Sequence, residues 1–119
     1  MKIAFSTEGE SLESLLDTRF GRCPRFLVWN FETNSFTLVD NSQNLQATQG
    51  AGIQSAQNVI NTGAEALVTG HCGPKAFKVL QAAGIPIYVA ESLPIRELID
   101  SFEKGTLLQL KEADVEGHW

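Results

Sequence analysis

The sequence predicts one α/β domain built on a mixed sheet, and three observations carry that prediction. Short apolar runs at residues 2–6, 66–69 and 85–89 have the length and composition of buried strands. Apolar residues at helical spacing lie between and after the later runs. Two further runs, within residues 26–40, are separated only by the turn-forming Glu32-Thr33-Asn34-Ser35 and read as a hairpin. A chain of 119 residues suits a single domain. It can bury roughly two-thirds of its unfolded surface without disulfide staples.

Taken in order, Lys2-Ile3-Ala4-Phe5-Ser6 is the first strand. Residues 7–18 form a polar loop, in which Ser11-Leu12-Glu13-Ser14-Leu15-Leu16 has the pattern of one helical turn. Residues 26–31 and 36–40 are the second and third strands. A polar stretch, residues 41–49, leads to Gly50-Ala51-Gly52. A helix follows with Ile53, Ala56, Val59 and Ile60 on its apolar face and Gly63 at its left-handed stop. The fourth strand, Ala66-Leu67-Val68-Thr69, runs into Gly70-His71-Cys72-Gly73-Pro74. Pro74 suits the first turn of a second helix, where its missing N–H costs nothing. That helix turns Ala76, Phe77, Val79, Leu80 and Ala83 inward and ends at Gly84. Residues 85–89 are the fifth strand. A third helix starts near Pro94, with Ser92 as its cap and Ile95, Leu98, Ile99 and Phe102 inward. Leu107-Leu108-Gln109-Leu110 has the character of a short edge segment. Residues 1–110 are thus the α/β domain and 111–119 a C-terminal tail. There is no internal repeat or linker.

The alternating second half calls for parallel pairing. The consistent sheet has five strands in the order 3-2-1-4-5, with strand 2 antiparallel, a ribonuclease-H-like arrangement. In that order the ends of strands 1 and 4, the start of strand 2 and the loop after strand 3 share one edge, the preferred place for a ligand in an open α/β sheet. Two helices start there, near Gly50-Ala51-Gly52 and at Gly73-Pro74, and helix starts favour anions.

Composition narrows the function. The net charge of −5, with nine basic residues and no basic run, argues against a surface that tracks nucleic acid. Against that background Arg19, Arg22 and Arg25 stand out as a local positive cluster. Two distant cysteines, Cys23 and Cys72, are no disulfide framework. Strand-like residues begin at Ile3, so no secretory leader is expected, and a reduced cytoplasmic setting is the simplest expectation. No apolar run has the length of a membrane span.

Each motif carries a functional and a plain reading. In Arg19-Phe20-Gly21-Arg22-Cys23-Pro24-Arg25-Phe26 the arginines suit an anion, because guanidinium keeps its charge and donates in a fixed fork. The plain alternative is a surface turn pinned by Phe20 and Phe26. Gly50-Ala51-Gly52 lets a bulky ligand approach the backbone, or simply opens a helix with small residues. It is not a dinucleotide fingerprint, and no P-loop lysine is present. At Gly70-His71-Cys72-Gly73, a thiol before a helix has a lowered pKa, which makes Cys72 a candidate thiolate ligand or redox centre. Cys72 is equally a small core residue in a tight turn. His71 can donate a hydrogen bond to a bound anion.

Other chemistries lack their parts. Cys23, His71, Cys72 and His118 do not have the paired spacing of a zinc site. There is no nucleophile elbow for a triad. Strands 1 and 4 carry none of the carboxylates that would hold a nuclease metal, and Glu8, Asp17 and Asp40 are scattered near the edge.

The succession of Arg19 to Phe26, Gly50-Ala51-Gly52, Gly73-Pro74-Lys75-Ala76-Phe77 and Ala83-Gly84-Ile85 resembles the dinitrogenase iron–molybdenum cofactor biosynthesis domain family over nearly the whole chain. The small size and the Gly117-His118-Trp119 ending are similar to its stand-alone orange-protein branch. The resemblance implies a ribonuclease-H-like fold without nuclease activity and a carrier role for an anionic metal–sulfur cluster held non-covalently, of molybdenum–copper sulfide or iron–molybdenum type. Cys23 and Cys72 are not general ligands of that family.

The resulting expectation is a non-catalytic binding protein for such a cluster. Arg19, Arg22 and the backbone of Gly50, Ala51, Gly52 and Gly73 would supply a positive field. His71 and Cys72 would make close contacts, with Cys72 as the one metal ligand, and Phe20, Gly21 and Cys23 would line the pocket. Soft sulfur donors suit molybdenum, copper and iron. Two rivals stand beside it. One is a cofactor-free module partnering an ATPase or a cofactor-assembly protein. The other is a thiol redox protein using Cys23 and Cys72. His118 and Trp119 belong either to a mobile tail or to a cover over the site.

Overall fold

The computed structural model describes residues 1–42 and 50–112. The polar stretch at 43–49 and the end of the tail at 113–119, with His118 and Trp119, lie outside the described residues. The strands are β1 (Lys2–Thr7), β2 (Arg25–Asn30), β3 (Ser35–Asp40), β4 (Ala66–Thr69), β5 (Ile87–Val89) and β6 (Leu108–Gln109). The helices are α1 (Ala51–Asn61), α2 (Pro74–Ala82) and α3 (Ile95–Glu103), and a 3-10 turn spans Phe20–Arg22.

The sheet order is β3-β2-β1-β4-β5-β6. It extends the expected five strands by one. β1 pairs antiparallel with β2 and parallel with β4, so the chain crosses over between them, and the added β6 runs antiparallel to β5. In β1, alternate residues serve opposite faces. Ala4 packs with Phe26, Val28, Val59, Leu67 and Leu80 on the side of α1 and α2. Ile3 and Phe5 pack with Leu27, Val68, Ile95 and Leu98 on the side of α3. Burial on both faces explains why β1 and β4 are near-continuous apolar runs. Each fully buried Leu or Ile contributes roughly 1.5–3 kcal/mol.

Several local expectations shift, each for a physical reason. Residues 11–16 are not a helical turn throughout. One turn closes from Ser14 N–H to the Ser11 carbonyl at 3.1 Å. The chain then extends, with Leu16 bridged to Thr7 and Leu15 to Pro94. The Ser11 and Ser14 hydroxyls bond local backbone N–H groups, and the Thr7 hydroxyl donates to the Leu15 carbonyl at 2.9 Å. Such bonds compete with helix formation. Ser92 does not cap α3; its hydroxyl donates to the Leu16 carbonyl at 2.9 Å. The first free N–H groups of α3 are met instead by this loop, Ile95 by the Ser14 carbonyl and Arg96 by that of Leu12, both at 2.9 Å. In α1 the inward positions are Ala51, Ser55, Ala56 and Val59, which turns Ile53 outward to 42% exposure. α2 ends at Ala82, so Ala83 is exposed rather than inward. Gly63 and Gly84 stop their helices at positive φ as expected. Among the described residues no helix is long and apolar enough to cross a membrane.

Candidate functional site

The ends of β1 and β4 are joined by a buried polar seam. The Ser6 hydroxyl hydrogen bonds that of Thr69 at 2.7 Å and donates to the Asp17 carbonyl at 2.6 Å, while Asp17 N–H donates to the Ser6 carbonyl at 2.7 Å. Residues 17–19 thereby lie across the strand ends. One step on, His71 N–H donates to the Thr18 carbonyl at 2.8 Å, and Arg19 pairs with His71 as a parallel bridge. The approach needs a glycine. A Cβ on Gly70 would fall 2.3 Å from Thr18 Cβ and 2.6 Å from its Cα. The arginine-rich segment and the Gly70-His71-Cys72-Gly73 turn are thus brought together.

From Arg19 the chain passes to the other face. Phe20 and Gly21 are buried in the 3-10 turn, and the Phe20 ring lies 5.5 Å from that of Phe26. Arg22 is half-buried and Arg19 exposed. The turn packs against α1, which Gly50 enters with φ at +80°, a conformation that suits glycine. A Cβ on Gly52 would sit 3.4 Å from that of Ala76, so the starts of α1 and α2 lie side by side. Neither helix has a side-chain cap among the described residues, and neither has an acidic residue in its first turn, whereas α3 carries Glu97 there. Lys75, exposed in the first turn of α2, was not singled out from the sequence. A cation at the positive end of a helix dipole was the available signal.

Both thiols are shut away from solvent and belong to the apolar cluster on the side of α1 and α2. Cys23 Sγ donates to the Phe20 carbonyl at 3.4 Å, and burial, with the nearby Asp17 charge second, pushes its pKa up to about 12. Asn41 fixes this corner. Its amide donates to the Cys23 carbonyl at 2.8 Å and to the Ser55 hydroxyl at 3.0 Å, and its own oxygen accepts from Asn58 at 2.6 Å. Cys72 Sγ lies 3.9 Å from the Gly73 carbonyl.

The charged groups are also arranged by this geometry. Asp17 Oδ1 accepts the Arg19 N–H at 3.0 Å and faces its Nε at 3.4 Å, and this contact raises the Arg19 pKa above its ordinary value. Arg25, the third arginine of the cluster, donates to the carbonyls of Glu8 and Gly9. A concavity of about 180 Å³ opens beside Arg19, lined by Glu8, Leu15, Leu16, Asp17, Thr18 and Ser92. A larger groove of about 280 Å³ lies between the end of α2 and β6. Among the described residues no three His, Cys, Asp or Glu side chains converge to hold a metal ion. The exposed groups of the edge include the Arg19 guanidinium, Lys75 and the starts of two helices, with the Glu8 carboxylate beside Arg19.

Family comparison gives this arrangement a lineage. The family described as dinitrogenase iron–molybdenum cofactor matches residues 1–105. The chain belongs to that family. Another relative is an uncharacterised protein of Methanocaldococcus jannaschii, 31% identical over 110 residues, covering 90% of this chain and 89% of its own length. Among solved structures, the apo form of the orange protein from Desulfovibrio gigas is similar with a TM-score of 0.91 at 38% identity, over 95% of each chain. A NifB-type protein from Thermotoga is similar with a TM-score of 0.83 at 30% identity, over 98% of each chain. The six-stranded domain described above is therefore the fold of a cofactor-related family of small proteins.

Proposed function

We propose that this dinitrogenase iron–molybdenum cofactor family member binds an anionic metal–sulfur cluster at the strand-end edge and carries or stores it without catalysis. The observation that supports this most directly is the hydrogen bond from His71 to Thr18. It locks the Arg19 segment to the end of β4, beside the starts of α1 and α2. An anion at such a place gains from fixed charge and from N–H groups that the helices leave free. Family membership and the likeness to a protein described in an apo form point the same way.

The donor set favours a preassembled cluster over a bare ion. A bare soft metal calls for accessible thiolates. Here both thiols are buried, and that of Cys23 stays protonated near neutral pH. Arg19, Arg22, Lys75, the His71 region and the backbone at residues 50–52 and 73 would hold sulfido groups by charge and hydrogen bonding. The buried, high-pKa Cys23 also argues against a redox couple with Cys72.

The test is anaerobic reconstitution with tetrathiomolybdate and copper(I), followed by desalting, visible absorption and metal analysis. The expected result is a chromophore that stays with the protein in fixed stoichiometry. Cys72→Ser should retain it, and Arg19→Gln combined with Arg22→Gln should lose most of it. Protein that leaves the column colourless and metal-free contradicts the proposal.

A further inference from the structure

Arg19 stands where the chain crosses from one face of the sheet to the other. Before it, Leu12 and Leu16 pack in the cluster under α3; after it, Phe20 and Cys23 pack in the cluster under α1 and α2. Its guanidinium is held on the first side by two carboxylates. Nε lies 3.4 Å from Asp17 Oδ1, and Nη2 lies 3.5 Å from Glu8 Oε1.

The two acids are held very differently. The Asp17 side chain is 5% exposed and also takes the Arg19 backbone N–H, while its Oδ2 has no partner among the described residues. It is a fixed counter-charge. The Glu8 side chain is 68% exposed and touches Arg19 at a distance longer than a normal charge-assisted hydrogen bond. An exposed pair of that length adds little stability and is readily broken.

We propose that Glu8 is a displaceable counter-ion of Arg19: it occupies the outer edge of the guanidinium until an anionic ligand replaces it, and so sets the anion affinity of the edge. This inference rests on the cluster-binding reading above. Its chemistry follows from the fork geometry of arginine, in which Asp17 engages one part and leaves the Nη2 side to whichever anion competes best. A multiply charged sulfido anion competes well against a single solvated carboxylate. Glu8 opposes it twice, by holding Nη2 and by placing a negative charge beside the incoming ligand. Once released, Arg19 is at the crossover from which it can turn toward the starts of α1 and α2.

The test titrates tetrathiomolybdate with copper(I) into the full chain at low ionic strength. Wild type is compared with Glu8→Gln, Glu10→Gln, Arg19→Gln and the Glu8→Gln/Arg19→Gln double variant. Glu8→Gln should bind roughly three- to tenfold more tightly, the scale of one lost exposed ion pair plus one lost repulsion. Glu10 is an exposed acid of the same loop, and Glu10→Gln should change affinity less than about twofold. In the Arg19→Gln background the Glu8 effect should shrink to about twofold or less, the part due to direct repulsion, because the rest runs through that guanidinium. Equal or weaker binding by Glu8→Gln, an equal gain from Glu10→Gln, or a gain undiminished without Arg19 overturns the inference and leaves the cluster-binding proposal standing. Absence of binding by all five proteins overturns both.

Discussion

Cys23 shows how one buried group constrains the chemistry of the edge. Its sequence position beside Arg22 makes it a pocket-lining residue and, in the rival reading, half of a thiol redox pair with Cys72. The structure places the sulfur in the apolar cluster, bonded to the Phe20 carbonyl, with its pKa raised from an ordinary 9.0 to about 12. Cys23 should therefore resist alkylation in the folded protein at neutral pH and react quickly once the chain is unfolded. The raised pKa also fixes the sign of a pH effect. Because the folded state holds the proton more tightly, its contribution to stability is complete below about pH 9 and is lost as pH rises toward about 12. Over that span the loss is at most about 4 kcal/mol, and by about pH 10.5 it is about 2 kcal/mol. Urea unfolding of wild type and Cys23→Ala at about pH 8 and about pH 10.5 measures it. Wild type should lose more stability than the variant between the two pH values. Parallel losses would mean that the thiol ionises without cost, and that Cys23 is available as a ligand after all.

At the scale of elements, the site depends on one close passage, where residues 17–19 cross the end of β4. Gly70 permits it by lacking a Cβ rather than by an unusual φ, since the added carbon would strike both Cα and Cβ of Thr18. Gly70→Ala should lower stability by roughly 1–3 kcal/mol, the range for forcing atoms into a packed contact. It should also weaken cluster binding, because the segment that moves carries Arg19. Gly84→Ala is the contrasting case. Gly84 has φ at +75° with open space around it, at the far end of α2. It should cost about 1 kcal/mol through backbone strain and leave binding unchanged. Thermal unfolding and titration of both variants separate the two effects. If Gly70→Ala binds like wild type, the passage is structural only. The elements themselves were largely legible in the sequence. The turn at Glu32-Thr33-Asn34-Ser35, Pro74 at the head of α2 and glycine at two helix stops each state their role locally. β6 was less legible because two residues carry no periodicity, and the turn at residues 11–16 misled because serine hydroxyls and leucines fit a helical turn and a looped-out ladder alike.

Across the whole molecule, the meeting of the Arg19 segment with the Gly70-His71 turn follows from the parallel pairing of β1 with β4, which the alternating second half of the chain is consistent with but does not by itself fix. What the sequence could not show is which groups at that meeting point are neutralised or buried. Glu8, Asp17 and Arg19 are separated by turns, so their contacts depend on side-chain paths that no pattern encodes. The burial of both thiols depends on how the 3-10 turn packs under α1. The sheet also sets a gradient of protection against hydrogen exchange. β1 and β4 are central and buried almost throughout, while β3 is an edge strand with mostly exposed residues. Amides of β1 and β4 should exchange slowest and those of β3 and β6 fastest, since strand interiors open only with the whole domain. Adding tetrathiomolybdate with copper(I) should slow exchange at residues 18–23, 50–54 and 70–76 and leave β3 and β6 unchanged. Exchange followed by NMR with and without the ligand gives both patterns in one experiment. Protection centred on Gln81, Ile85, Gln109 and Lys111 would place the ligand in the groove between α2 and β6, at the opposite end of the sheet, and would refute the strand-end edge as its binding place.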